Sequence, residues 1–238
     1  MKDKRCLDIK LFCIPYAGGS SNIYYKWKNI LNPDIQVIPI ELSGRASRFN
    51  ETLYRSMDQA VLDVEQEIKK RITCDEYAIY GHSMGALITY ELIKRSETIL
   101  PKHVFISGLA APHLRKRREN IYLLSDENFI NEIINLNGTP DGFFDNVEFR
   151  EIFIPILKAD FRIISDLCYK APPKKKISQN ISVLYGSDED IDYESILAWG
   201  DYSLGTCDFH EIPGNHFFLN TSYTVVCQTV KDKIQPYL

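Results

Sequence analysis

Five consecutive residues, Gly81-His82-Ser83-Met84-Gly85, hold a serine between two glycines. The run Tyr77-Ala78-Ile79-Tyr80 before them suits a buried parallel strand, and Ala86 to Ile93 after them suits a buried helix. A serine at a sharp strand-to-helix turn presents its hydroxyl as a nucleophile. The helix start also aims backbone N–H groups at developing negative charge. Any side chain at positions 81 or 85 is expected to collide with the neighbouring strand or helix. The same pentapeptide occurs in ordinary βα turns, so its meaning depends on its partners.

A serine hydroxyl needs a base, and the base needs an orienting acid. Of the five histidines, His82 lies inside the turn, His103 opens the apolar run Val104-Phe105-Ile106, His113 sits in Ala-Pro-His-Leu, and His210 alternates with Phe209 in a strand-like segment. His216 differs. It lies in Pro213-Gly214-Asn215-His216-Phe217, a loop between that segment and a C-terminal helical pattern. This gives the chain order serine, acid, histidine used by α/β-hydrolases. The acid should follow the strand-like Ile181 to Tyr185, where Gly186-Ser187-Asp188-Glu189-Asp190 offers three carboxylates. Asp190 is the first candidate, with Asp188 and Glu189 as alternatives.

An oxyanion hole needs two donors, one on the residue after the nucleophile, here Met84 N–H, and one from the loop after an early strand. Leu11-Phe12-Cys13-Ile14 is that strand, and it runs into the small-residue loop Pro15-Tyr16-Ala17-Gly18-Gly19-Ser20-Ser21. A phosphate-cradling loop is the rival reading of these glycines. Neither a Walker-type Lys-Ser/Thr nor G-x-G-x-x-G accompanies them.

Six strands are expected at Lys10 to Ile14, Ile35 to Ile40, Tyr77 to Tyr80, His103 to Ser107, Ile181 to Tyr185 and Asp208 to Ile212. Between them, Ser56-Met57-Asp58-Gln59 reads as a capping box opening a helix with Met57, Val61, Val64 and Ile68 on one face. A last helix from Thr221 to Ile234 places Tyr223, Val226, Val230 and Ile234 together. Alternating strands and helices imply a mostly parallel sheet covered on both sides. Residues from about 120 to about 170 exceed what a crossover needs and are expected to form a helical lid. In it Ser125 starts a helix that Asn137-Gly138 stops, and Phe149 to Tyr169 carries a second helical pattern around Pro155. Most of the stripe Phe143, Phe144, Phe153, Ile154, Ile156, Leu157, Phe161, Ile164 should pack on the core. The remainder, with Phe143, Phe144, Phe153, Leu157 and Phe161 as candidates, would line an acyl pocket.

The chain resembles the type II thioesterases that accompany nonribosomal peptide and polyketide synthases, relatives of the medium-chain acyl thioesterases of fatty acid synthesis. The resemblance spans nearly the whole chain. Its landmarks are Pro15 to Ser20, Glu41-Leu42-Ser43-Gly44-Arg45, Gly81 to Gly85, Ser107-Gly108 with Ala111-Pro112-His113, Leu157-Lys158-Ala159-Asp160-Phe161, Ala198-Trp199 and Pro213 to Leu219. It implies an α/β-hydrolase fold with a helical lid, Ser83 as nucleophile, His216 as base, and Ala17 with Met84 as the oxyanion hole. The implied substrate is an acyl group on the phosphopantetheine arm of an acyl or peptidyl carrier protein, removed to free stalled modules. Two departures stand out. The family's usual Leu-Pro-Gly-Arg reads Leu42-Ser43-Gly44-Arg45 here, which should change loop rigidity and leave the chemistry alone. The family's acid commonly lies three residues after the strand-end glycine, which here is Glu189; a one-residue insertion would restore Asp190.

At 238 residues with 45% hydrophobic content, one large core in a single domain over 1–238 is expected. No apolar span reaches about 18 residues, and the charged first ten residues do not read as a signal peptide. A cytoplasmic monomer without membrane attachment is therefore expected. The six cysteines lack metal or redox spacing, so neither a metal nor a cofactor is expected. A net charge of −4 gives no reason to expect nucleic acid binding. The basic runs Arg115 to Arg118 and Lys174 to Lys176 could attract an acidic carrier or its arm's phosphate, or be solvated loops. The remaining alternatives are a fatty acid chain-terminating thioesterase, a small-molecule carboxylesterase and a catalytically inactive carrier-binding module.

Overall fold

The six apolar runs become six strands that pair in parallel throughout. A computed structural model describes residues 9–72, 76–116, 120–136, 139, 142–173 and 176–238. Strands β1 (Ile9–Ile14), β2 (Ile35–Pro39), β3 (Tyr77–His82), β4 (His103–Ser107), β5 (Asn180–Gly186) and β6 (Cys207–Ile212) form one sheet in the order β2-β1-β3-β4-β5-β6. The register runs Leu11↔Ala78, Ile79↔Val104, Ile106↔Val183 and Val183↔Phe209 across its centre. Parallel pairing puts every strand's C-terminal end on the same edge, where the connecting loops assemble a site.

Successive side chains alternate between the two faces. Phe12, Ile14, Ile79, Val104 and Ile106 join one core cluster, while Leu11, Cys13, Tyr80 and Phe105 join the other. Both faces are buried, which is why these strands read as continuous apolar runs. Helix α1 (Tyr25–Leu31) covers the second face with Trp27 and Leu31. On the first face lie α2 (Met57–Lys69) and α3 (Met84–Arg95). The N-cap of α2 is Ser56, whose hydroxyl accepts the Gln59 N–H at 3.3 Å. Gln59 reaches back to the N–H of Arg55, one residue beyond the usual capping-box partner. Its buried stripe is Met57, Ala60, Val61, Val64 and Ile68. Each buried Met, Val or Ile side chain there contributes about 1.5–3 kcal/mol.

The long connection from β4 to β5 is a helical lid. It comprises α4 (Asp126–Asn135), capped by the Ser125 hydroxyl, and α5 (Val147–Ser165), which contains Pro155 and is capped by Asn146. Residues 137 and 138, expected to stop the first helix, lie outside the described residues. Phe129, Ile130, Ile133, Phe144, Ile154 and Leu157 form the lid's own small core. After β5 come α6 (Tyr193–Leu197) and, after β6, α7 (Phe218–Thr221) and α8 (Tyr223–Ile234). The C-terminal helix expected from Thr221 is α8, starting at Tyr223, and Thr221 instead ends the short α7. Ser222, at φ −106° and ψ 29°, leaves helical geometry between them, and its hydroxyl donates to Pro213 O at 2.6 Å. Of the expected face, Val226, Val230 and Ile234 are buried on the second side of the sheet, and Tyr223 packs against that cluster partly buried. Among the described residues no helix is long and apolar enough to cross a membrane.

Candidate active site

Ser83 sits between β3 and α3 with φ 53° and ψ −113°, a conformation that non-glycine residues rarely adopt. Its N–H donates to Ser107 O at 2.8 Å and its carbonyl accepts Leu87 N–H at 3.1 Å, so the backbone on each side is tied down. The two flanking glycines are required by space, as the sequence implies. A Cβ on Gly81 would overlap the Gly85 carbonyl, and one on Gly85 would overlap the end of β1 at Ile14. Close packing of α3 against both strands therefore holds the serine in its strained turn.

His216 faces the same cavity as Ser83. Its Nδ1 is hydrogen-bonded to Glu189 Oε1. A carboxylate can only accept, so Nδ1 carries the proton and Nε2 keeps the lone pair that a base needs. Glu189 Oε2 accepts Gly186 N–H at 3.0 Å, which fixes the carboxylate against the end of β5.

Asp190 does not reach His216. Its side chain is 93% exposed and pairs with Lys116 Nζ at 3.2 Å, whereas the Glu189 side chain is 3% exposed. Asp188 is also exposed and lies beside the Ser187 hydroxyl. The first-choice acid is therefore corrected to Glu189, three residues after the strand-end Gly186. No insertion is needed: Glu189 stands at the family's usual acid position and its Oε1 meets the histidine from there.

A second histidine supports the site, and sequence reasoning missed it. His82 is fully buried; its Nε2 donates to the His216 carbonyl at 2.8 Å and its Nδ1 meets Ser107 Oγ at 2.8 Å. The carbonyl can only accept, so the tautomer is fixed and the Ser107 hydroxyl donates to Nδ1. Ser107 Oγ in turn accepts from Tyr80 OH at 2.6 Å. Burial, with the His216 ring nearby, pushes the His82 pKa well below the ordinary histidine value. A neutral imidazole thus braces the base loop from beneath. The only signal in the sequence was a histidine beside the nucleophile.

Met84 begins α3 and Ala17 lies in the loop after β1; both line the cavity with Ser83. Beyond them the cavity, about 600 Å³, extends under the lid. Phe143, Phe153, Leu157 and Phe161 line it as expected, joined by Ile133 and Leu136 from the end of α4. Phe144 does not. It is buried in the lid's own core cluster, to which Phe129 and Ile154 also belong. Arg115 and Lys116 stand at the rim, the former donating to Ile164 O at 3.1 Å. Residues 117, 118, 174 and 175 of the two basic runs lie outside the described residues.

The remaining histidines are structural, with His103 on Ser182 Oγ, His113 on Tyr202 OH and His210 on Asp208. Ser43, where the resemblance has proline, donates its N–H to Tyr54 OH at 3.0 Å and its hydroxyl to Thr52 O at 2.7 Å.

A family model described as a thioesterase domain matches residues 9–234. The chain is similar to the gramicidin S biosynthesis protein GrsT of Aneurinibacillus migulanus, 36% identical, covering 90% of this chain and 84% of that protein. It is 32% identical to the medium-chain S-acyl fatty acid synthase thioesterase of Rattus norvegicus, over 88% of this chain and 81% of that one. Among solved structures, ClbQ from the colibactin NRPS/PKS pathway superposes with a TM-score of 0.89 at 31% identity, covering 96% and 98% of the two chains.

Proposed function

The chain belongs to the thioesterase family, and on that premise we propose that it hydrolyses acyl groups from the phosphopantetheine thiol of carrier proteins, clearing synthase modules stalled by unwanted acyl groups. The observation that carries this reading is Ser83 in its strained turn opening, with the Glu189-backed His216, onto one apolar cavity. The likeness to GrsT and ClbQ supports synthase carriers as the source of substrate.

In this reading His216 Nε2 takes the Ser83 hydroxyl proton as Oγ attacks the thioester carbonyl. Ala17 and Met84 N–H groups receive the oxyanion. The C–S bond breaks, the thiol leaves with the proton from His216, and water, activated by the same histidine, then releases the acid from Ser83. A thiol of pKa about 8.5 leaves readily, so acylation asks little of His216 as an acid. Side chains and water suffice, and no cofactor or metal enters. A monomer acting in the cytoplasm fits this role.

The test is hydrolysis of acetyl- and medium-chain-acyl carrier protein beside matched oxygen esters, by wild type and Ser83→Ala. Broad removal of acyl groups by wild type alone supports the reading; cleavage of oxygen esters alone overturns it. A second reading, release of medium chains from fatty acid synthesis, is favoured by the aromatic cavity of about 600 Å³. It predicts a strong preference for medium-chain over acetyl carriers.

A further inference from the structure

Two sequence landmarks left without a role in this chemistry meet inside the protein. Arg45, in the loop after β2, and Asp160, on lid helix α5, form a bidentate ion pair: Nη1 to Oδ2 at 2.7 Å and Nη2 to Oδ1 at 2.8 Å. Both are buried, at 3% and 1% exposure. The pair also reaches the loop that carries Ala17. Asp160 Oδ2 accepts Gly18 N–H at 2.8 Å, and Arg45 Nη1 donates to Gly19 O at 3.3 Å.

That loop contains a tight turn in which Gly19 N–H donates to Tyr16 O at 2.9 Å. Gly18, at φ +76°, has the conformation of the third residue of a type II turn. The Tyr16 carbonyl and the Ala17 N–H belong to one planar trans peptide and point in opposite directions. Whatever orients Tyr16 O therefore orients Ala17 N–H. Asp160 holds the next peptide by the Gly18 N–H, and Arg45 holds the Gly19–Ser20 peptide, two further on, by the Gly19 carbonyl. Leu157, one turn before Asp160, closes the remaining side: a Cβ on Gly18 would lie 2.5 Å from its Cδ2. Glu41, from the same landmark as Arg45, anchors the loop's far end by accepting from Ser21 Oγ at 2.7 Å. A buried ion pair contributes little net stability compared with an apolar pair of like size, so its use here lies in direction.

We propose that Arg45 and Asp160 are positioning residues that set the Ala17 oxyanion donor from the lid helix. The inference rests on the thioesterase reading above, with Ala17 as a donor. When the lid helix shifts, the donor shifts with it.

The test compares wild type with Arg45→Lys, Asp160→Asn and the apolar double variant Arg45→Met/Asp160→Leu, which removes both charges together and so leaves no buried ion unpaired. The substrate is acetyl-pantetheine, with an alkyl boronic acid as tetrahedral analogue and the thioether of the substrate as ground-state analogue. Loss of one oxyanion donor lowers kcat by about 10²–10³. The expected result is a fall of about that size in kcat and a parallel loss of boronate affinity, with KM, thioether affinity and cavity binding unchanged. A folded double variant that keeps wild-type kcat overturns the proposal. So does a loss confined to KM and thioether affinity, which would make the pair a pocket support. Wild type inactive on every thioester would instead overturn the functional reading itself.

Discussion

Glu189 grips His216 with one carboxylate oxygen and the backbone of Gly186 with the other. The imidazole is thereby tied to the C-terminal end of β5, and its orientation does not depend on loop solvent. Glu189→Gln keeps the shape but offers an amide that can donate to Nδ1 and favour the wrong tautomer. A fall in kcat of about 10³–10⁴ is expected, as when the acid of a serine triad becomes an amide. Asp190→Asn, at a side chain 93% exposed, should stay within about twofold of wild type. Steady-state kinetics on acetyl-pantetheine decide between them; the reverse pattern would return the acid role to Asp190.

The backbone strain at Ser83 has a measurable cost. Residues held in such conformations store about 1–3 kcal/mol, and glycine relieves most of it. Ser83→Gly should raise stability by about 1 kcal/mol while abolishing turnover, whereas Ser83→Ala abolishes turnover with little change in stability. Urea unfolding of the three proteins checks this. An unchanged or lowered midpoint for Ser83→Gly would mean that the turn is not strained.

Gly108, at φ +60°, lies under both imidazoles. A Cβ there would sit 2.7 Å from His82 Cε1 and 3.3 Å from His216 Cε1. Gly108→Ala should therefore displace the base, lowering kcat at least tenfold and costing about 1–3 kcal/mol of stability. Labelling of Ser83 by a fluorophosphonate should slow in proportion, and a wild-type labelling rate would refute the contact.

Stability should fall on mild acidification. Burial lowers the His103 pKa from 6.5 to about 4, with Asp208, Lys233 and His210 as its titratable neighbours. Between these values the unfolded chain binds a proton that the folded His103 refuses, so stability is full above pH 6.5 and declines as the pH falls toward 4. The loss over that window is roughly 3 kcal/mol. His82, shifted in the same direction by burial, adds to it. Urea unfolding at pH 7 and pH 4.5 should show a smaller difference for His103→Gln than for wild type; an equal difference would place the titration elsewhere.

What could be read in advance followed how locally each feature is encoded. The six strands and the serine turn were legible because apolar runs and the glycines at 81 and 85 act through near neighbours. His216 was legible from chain order. The acid was not, because Asp188, Glu189 and Asp190 are chemically alike and only packing decides which is buried. The break at Ser222 depends on the carbonyl of Pro213, nine residues away. Phe144 and Phe143 are adjacent with identical side chains, yet one faces the lid's core and the other the cavity. His82 escaped notice because its partners, Ser107 and the His216 backbone, come from distant segments.

The lid occupies the connection between β4 and β5, which are direct neighbours in the sheet. Replacing it would leave every strand pairing intact, so it looks like an exchangeable cartridge for altering acyl selectivity. The Asp160 carboxylate on Gly18 N–H denies it that independence. A transplanted lid must bring an acidic side chain to the same point opposite Arg45, one turn after the residue that packs on Gly18. Chimeras chosen by pocket shape alone would fold and bind, and then turn over slowly.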